Sequence, residues 1–241
     1  MPAPMANVSE RRFDPPSLAI STVVFALSAG AGNSADDEST ADGATLWLPL
    51  VRRIREPYRN TWALPGGPIA WNESLEAAAR RNLHETTDMT PNYLEQLYAF
   101  GGTDRSPDLR VVSIVYWALV RPVEADKAVT GDNVRWFRTG NLPELAFDHR
   151  DIVDYAVWRL RNKMEYSRIA QNFLGDTFTL AQLREVYESV IGRRLDPANF
   201  RRQMLASNTL IETDQVLAGA RHRPPRLYRY KPELAQGSTA S

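Results

Sequence analysis

Trp62-Ala63-Leu64-Pro65-Gly66-Gly67-Pro68-Ile69-Ala70-Trp71-Asn72-Glu73-Ser74, with the run Leu75 to Met89 behind it, is the stretch on which the fold of this chain turns. The Pro-Gly-Gly loop interrupts regular structure. Beyond it Leu75, Ala78, Ala79 and Leu83 recur at helical spacing, which predicts an amphipathic helix over about Ser74 to Thr86, capped by Asn72 or Ser74. On the N-terminal side, Leu18 to Leu27 reads as a buried strand. A small, polar segment, Gly30 to Gly43, follows it; Ala44 to Ile54 reads as the strand paired with the first, and Arg55 to Arg59 as a turn around Pro57. On the C-terminal side, Tyr93 to Phe100 and Val111 to Val120 read as strands around the loop Gly101 to Leu109, the second too apolar for an edge facing water. Trp136-Phe137 gives a further short strand and Asp148 to Met164 a helix using Ile152, Tyr155, Ala156 and Leu160.

From Tyr166 the pattern changes to short helices over about Ser167 to Leu174, Leu180 to Ile191 and Asp196 to Ala206. Thr179 is a good N-cap, Gly192 a good terminator, and Asp196-Pro197 sets a cap before a proline at the first helical position. Leu210 to Leu217 and Arg226 to Tyr230 then read as strands joined by Ala218 to Pro225. Three helices followed by a strand, a basic loop and a strand is the order of a winged helix. The fold class is therefore α+β. Residues 1–16 form a flexible N-terminus, 17–164 the larger domain, 165–233 the winged helix and 234–241 a disordered tail.

The 241 residues include 29 basic and 29 acidic side chains, 43% apolar residues and no cysteine. Cysteine chemistry and disulfides are excluded, which fits a reducing compartment, and the Leu18 to Ala29 run is too short to span a bilayer. The expectation is a cytoplasmic, nucleoid-associated protein without export signal or membrane helix. Charge is uneven: Arg193 to Lys231 holds nine basic residues against three acidic ones, which suggests a polyanion-binding module fused to something else.

Gly67, Glu73, Arg81, Asn82, Leu83, Glu85, Thr86 and Met89 fall on the spacing of the Nudix box, G-x5-E-x7-R-E-U-x-E-E-x-G-U, in which U is apolar. The stretch from Phe100 to Ser113 resembles the segment that follows the box in ADP-ribose-type Nudix domains, with Ser106 and Asp108 in place of Asp and Arg. The C-terminal run, through Tyr166-Ser167, Ile169-Ala170, Phe178-Thr179-Leu180, Tyr187-Glu188 and Asn199-Phe200-Arg201-Arg202, resembles the winged helix of the Nudix-related transcriptional regulators (NrtR). Together these resemblances cover about Leu18 to Lys231. They imply an α/β/α Nudix-like sandwich with a mixed sheet, followed by a small winged-helix domain. The function they imply is repression of NAD-biosynthesis genes, relieved by ADP-ribose, by a homodimer bound to a palindromic double-stranded DNA operator.

The box departs from the family at Asn82, Thr86 and Asp88, which stand where Glu, Glu and Gly are expected. A Nudix hydrolase gathers helix carboxylates around magnesium to activate water against a diphosphate. Positions 82 and 86 lie four apart on one helix face and both are uncharged, so no catalytic residue and no metal ligand is assigned, and no cofactor is required. Arg52, Arg53, Arg105 and Arg110 are the candidates for an effector's diphosphate, with Glu85 for ribose hydroxyls. Trp62 reads as core rather than an adenine platform. Arg201, Arg202 and Asn199 are candidates for base edges, and Arg193, Arg194, Arg221, Arg223 and Arg226 for phosphates or the minor groove. Phe200, Met204 and Leu205 read as core. His84, His149 and His222 lack metal-ligand spacing. Two rival readings stay open: an active hydrolase cleaving ADP-ribose-type nucleoside diphosphates, and an interaction adaptor whose basic block binds an acidic partner.

Overall fold

The computed structural model describes residues 15–27, 45–126, 128, 130–166, 168–216 and 224–232. In chain order the elements are β1 (Ser17–Phe25), β2 (Trp47–Arg52), β3 (Trp62–Ala63), β4 (Gly66–Pro68), α1 (Leu75–Thr87), β5 (Tyr93–Phe100), β6 (Val111–Leu119), α2 (Pro122–Ala125), β7 (Val134–Arg138) and α3 (His149–Tyr166). A 3-10 turn over Ile169–Phe173 leads to α4 (Leu180–Ile191), α5 (Pro197–Ala206), β8 (Leu210–Val216) and β9 (Arg226–Tyr230).

β1 and β6 run parallel at the centre of a four-stranded mixed sheet ordered β4-β1-β6-β5. Their sequences are apolar at consecutive positions because both faces are covered. Val24 and Ala118 pack with Leu83 of α1, whereas Val23, Phe25, Val115, Trp117 and Leu119 pack with Ile152, Ala156 and Leu160 of α3. The result is an α/β/α sandwich. The second strand is not the first strand's partner: β2 pairs with β3 and β7 in a separate three-stranded sheet and meets β1's end through a single bridge between Ala26 and Trp47. Both edges of β1 are already taken, by β6 and by β4.

Gly66 shows why the Pro-Gly-Gly sequence is required, since a Cβ there would lie 2.2 Å from the carbonyl oxygen of Ile20 on the neighbouring strand. α1 begins at Ser74, whose hydroxyl accepts the amide of Ala77 at 3.1 Å. Leu75 departs from the expected apolar face and is 37% exposed.

In the C-terminal part, Thr179 and Gln182 form a reciprocal capping box at the start of α4 and Gly192 closes that helix at φ 80°. The segment expected as a helix over 167–174 is the shorter 3-10 turn, which buries Ile169, Ala170 and Phe173. β8 and β9 form the antiparallel hairpin of a winged helix. The Gly30 to Gly43 segment and the loop carrying Arg221, His222 and Arg223 lie outside the described residues. Among the described residues no helix is long and apolar enough to cross a membrane. One apolar cluster runs from the sheet through α3 into α4 and Phe200 of α5, so the two parts share a core. Leu160 is fully buried in it; Leu160→Ala is expected to lower unfolding free energy by about 2–5 kcal/mol in urea denaturation.

Candidate nucleotide and nucleic-acid sites

The helix that carries the box spacing is built around one guanidinium. Arg81 donates through Nε and Nη2 to the Glu73 carboxylate at 3.0 and 2.6 Å, through Nη2 to the Pro68 carbonyl at 3.1 Å, and through Nη1 to Glu85 at 3.1 Å. That hydrogen bonding, led by Arg81 and helped by the Ala70 amide, holds the Glu73 carboxyl down to about 2. Gly67 makes room for residue 82, because a Cβ at Gly67 would fall 2.3 Å from Asn82 Oδ1. Asn82 is buried there as a neutral amide, donating to the Pro68 carbonyl at 3.3 Å. The Thr86 hydroxyl turns back and donates to the Asn82 carbonyl of its own helix at 2.7 Å.

A divalent ion needs several convergent anionic oxygens, and this helix offers none that is free. Positions 82 and 86 are uncharged, Glu73 and Glu85 are already paired with Arg81, and Glu76 pairs with Arg80 at 3.0 Å. Among the described residues no group of three His, Asp or Glu side chains is placed to hold a metal. The donor set does not fit the metal that Nudix hydrolysis uses.

The arginines proposed for an effector are held in different ways. Arg53 and Arg105 converge on the segment entering α3. The Arg53 guanidinium lies 4.6 Å from the Phe147 ring centre, and its Nε donates to the Pro57 carbonyl at 2.9 Å. Arg105 makes a two-pronged ion pair with Asp148, Nε and Nη2 donating at 2.9 and 2.7 Å, with its side chain only 6% exposed. Arg52 lies on β2 opposite Trp62 of β3, and Arg135, opposite Leu50, points to the same face and reaches within 5.9 Å of the Trp62 ring. Trp62 itself packs edge-to-face against Phe137 at 5.1 Å and is partly buried. Arg110 closes its own loop by donating to the carbonyls of Gly101 and Gly102 at 2.8 and 2.9 Å. Glu85 stays with Arg81 on α1.

The DNA candidates are more coherent. Phe200 is the one fully buried residue of α5, while Asn199, Arg201 and Arg202 are exposed. The Asp196 side chain caps the helix by accepting the Asn199 amide at 2.7 Å, and Arg202 Nη2 donates to Asn199 Oδ1 at 2.7 Å. Asn199 thus holds the Arg202 guanidinium on the solvent face. Met204 packs against the core, but Leu205, expected beside it, is 44% exposed, because five residues on from Phe200 the helix has turned it outward. Arg193 and Arg194 are exposed in the turn before α5. Arg226 pairs with Glu212 across the wing hairpin, where Glu212 also accepts the buried Tyr228 hydroxyl at 3.2 Å.

Compared with known proteins, residues 36–156 match the family model described as the NUDIX domain and residues 170–230 match the NrtR DNA-binding winged helix domain. An ADPR-responsive transcriptional repressor of Acinetobacter baylyi is 33% identical over 196 residues, covering 79% of this chain and 78% of that protein. The crystal structure of Shewanella oneidensis NrtR complexed with a 27mer DNA is 30% identical with a TM-score of 0.69, covering 89% of this chain and 93% of that one. This chain belongs to the NrtR family. An ADP-ribose pyrophosphatase of Methanocaldococcus jannaschii is 34% identical over 114 residues, 46% of this chain, so the NrtR match extends well beyond the likeness to a hydrolase.

The sequence does not mark Phe147 or Asp148, which this NrtR chain places against Arg53 and Arg105, and it offers His149 only as a histidine without metal-ligand spacing. Asp148 was visible only as the start of a helix, and its pairing with Arg105 joins positions 43 residues apart. The His149 ring is wholly enclosed, with Nδ1 accepting the Leu64 amide at 3.0 Å, and burial lowers its pKa to about 4. In the unfolded chain the ring protonates near 6.5, so between those values the unfolded state holds the extra proton and stability falls as pH falls. Urea unfolding at pH 7 and pH 4 is expected to show a loss from this group of up to about 3 kcal/mol. His149→Gln should flatten that slope, and an unchanged slope would show that the folded ring protonates as freely as the unfolded one.

Proposed function

We propose that this chain is a transcriptional repressor of NAD-biosynthesis genes that binds DNA through its winged helix and senses ADP-ribose, or a related nucleotide, through its Nudix domain. The observation that carries the reading is α5, a short helix that buries Phe200, packs Met204 against the core and presents Arg201 and the tethered pair Asn199 and Arg202 to solvent. Such a helix fits the major groove, where guanidinium forks pair with guanine and carboxamides with adenine. Arg193, Arg194 and Arg226 are assigned to phosphates, and Arg221 and Arg223 to the wing by sequence alone. One winged helix reads half a palindrome, so the working unit is a homodimer in the cytoplasm.

Arg53 and Arg105, together with Arg52 and with Arg135 beside the partly buried Trp62 ring, are the kind of cations and aromatic surface that a diphosphate-linked adenosine requires. The Nudix domain acts as a sensor because its carboxylates are spent on Arg81. A gel-shift titration on the chain's own upstream DNA and on NAD-biosynthesis promoters tests this reading. Selective binding is expected, weakening steeply with salt and with ADP-ribose, and Arg201→Ala/Arg202→Ala should lower affinity by about 2–6 kcal/mol. Binding no tighter than to random DNA would refute the repressor. In a parallel assay with magnesium and ADP-ribose, release of AMP and ribose 5-phosphate is expected to stay at the no-enzyme rate; metal-dependent turnover would restore the hydrolase reading.

A further inference from the structure

Among the described residues, α3 is the helix that runs from the candidate effector arginines to the winged helix. At its N-terminal end Asp148 binds Arg105, Phe147 lies under Arg53, and His149 accepts the Leu64 amide. With 18 residues it is about 27 Å long, and its C-terminal end is bolted to the winged helix at two places. Arg161 Nε donates to the Val190 carbonyl at 2.9 Å, one of the carbonyls that the end of α4 leaves without a helical partner, while its Nη2 lies 3.8 Å from where a Gly192 Cβ would stand. The Tyr187 hydroxyl donates to the Met164 carbonyl at 3.3 Å, and the Tyr187 ring meets Phe200 edge-on at 5.3 Å.

These two bolts hold the parts of the winged helix that face DNA. Gly192 opens the turn carrying Arg193 and Arg194 into α5, and Phe200 is α5's sole deep anchor. The same turn is braced from within, since the Glu188 carboxylate accepts the Leu195 amide at 2.8 Å. α3 is also fixed to the sheet at this end by Lys163, which donates to Glu95 at 2.5 Å and to the Tyr93 hydroxyl at 3.1 Å.

We propose that α3 transmits effector binding to the recognition helix as a rigid strut, and that Arg161 and Tyr187 are the positioning residues that make the connection. The proposal rests on the effector reading above. An anionic ligand at Arg53 and Arg105 competes with Asp148 for the Arg105 guanidinium, which alters what holds the start of α3. A closely packed helix responds by moving as a unit, and any displacement reaches Val190, Gly192 and Phe200 through the two bolts. Neither residue is placed at the ligand or at DNA, so their loss affects the coupling between two affinities more than either affinity.

The test is a thermodynamic cycle on the full chain with Arg161→Gln and Tyr187→Phe, each of which removes one hydrogen-bonding group with little change of shape. ADP-ribose affinity of the DNA-free protein, affinity for a duplex selected from a random pool, and duplex affinity in saturating ADP-ribose are measured for each. In the wild type ADP-ribose is expected to weaken duplex binding about 10-fold or more; in the variants this falls below about threefold, with ADP-ribose affinity within about twofold of wild type. Wild-type coupling in both variants would overturn the proposal. Amide hydrogen exchange over residues 188–195 without any ligand scores the joint separately from the effector. Faster exchange in both variants supports the joint even if ADP-ribose proves not to bind, an outcome that would sink the effector reading alone, whereas unchanged exchange removes the joint.

Discussion

Burial of one face of α3 is the constraint on which the rest of the molecule depends. Ile152, Val153, Ala156, Leu160 and Met164 are all inaccessible, and they belong to one continuous cluster that begins at Val23 and Phe25 in the sheet and ends at Val186, Val190 and Phe200 in the winged helix. A helix in that position cannot serve one domain only. Apolar side chains inside so dense a core are held near fixed positions, so α5 takes its orientation from the same residues that complete the sandwich. A flexible tether between sensor and reader would let the two parts average independently. Here the direct hydrogen bonds of Arg161 and Tyr187 add direction to the non-directional hydrophobic contact.

The same residues that make the box recognisable also decide which partners its carboxylates take. Gly67 leaves space for a side chain at position 82, and the arginine at 81 is there to organise carboxylates. With an amide at 82 and a hydroxyl at 86, the carboxylates that Arg81 pairs with are Glu73 and Glu85. The geometry of the loop and helix survives because it rests on Gly66 against Ile20, the Ser74 cap and the buried Ala78, Ala79 and Leu83, none of which depends on the lost carboxylates. The loop and helix are therefore held by atoms other than those that would gather around a metal.

Much of this was legible in the sequence, and what was not has a physical reason. The helices were visible through their caps: Ser74, Thr179 with Gln182, Asp196 before Pro197, and Gly192 are local signals, read without knowledge of tertiary structure. Strand partners were not, because pairing of β2 with β7 links Trp47 to Arg138 across most of the domain, and nothing local distinguishes it from pairing with β1. Leu205 was assigned to the core on its chemistry, yet its position on α5 points it outward. In the sequence, charge alone marks Arg52, Arg53, Arg105 and Arg110 as candidates for a diphosphate. Charge could not reveal that Arg105 is committed to Asp148, or that Arg110 is occupied with its own loop, since both partners are settled by three-dimensional proximity.

That commitment of Arg105 matters for how a sensor of this kind works. A cation left bare in a pocket would bind an anion tightly but would have nothing to report, because no protein contact would change on binding. In the proposed switch a cation already paired with Asp148, 6% exposed and at the threshold of α3, exchanges one partner for another. The exchange lowers net affinity, since the ligand must match an ion pair that is already well formed, and in return each binding event alters a contact in the protein. Linkage then requires that DNA, by favouring one position of α3, favours one state of the Arg105–Asp148 pair to the same degree. In the proposed switch, weak effector binding and strong coupling are two consequences of the same salt bridge.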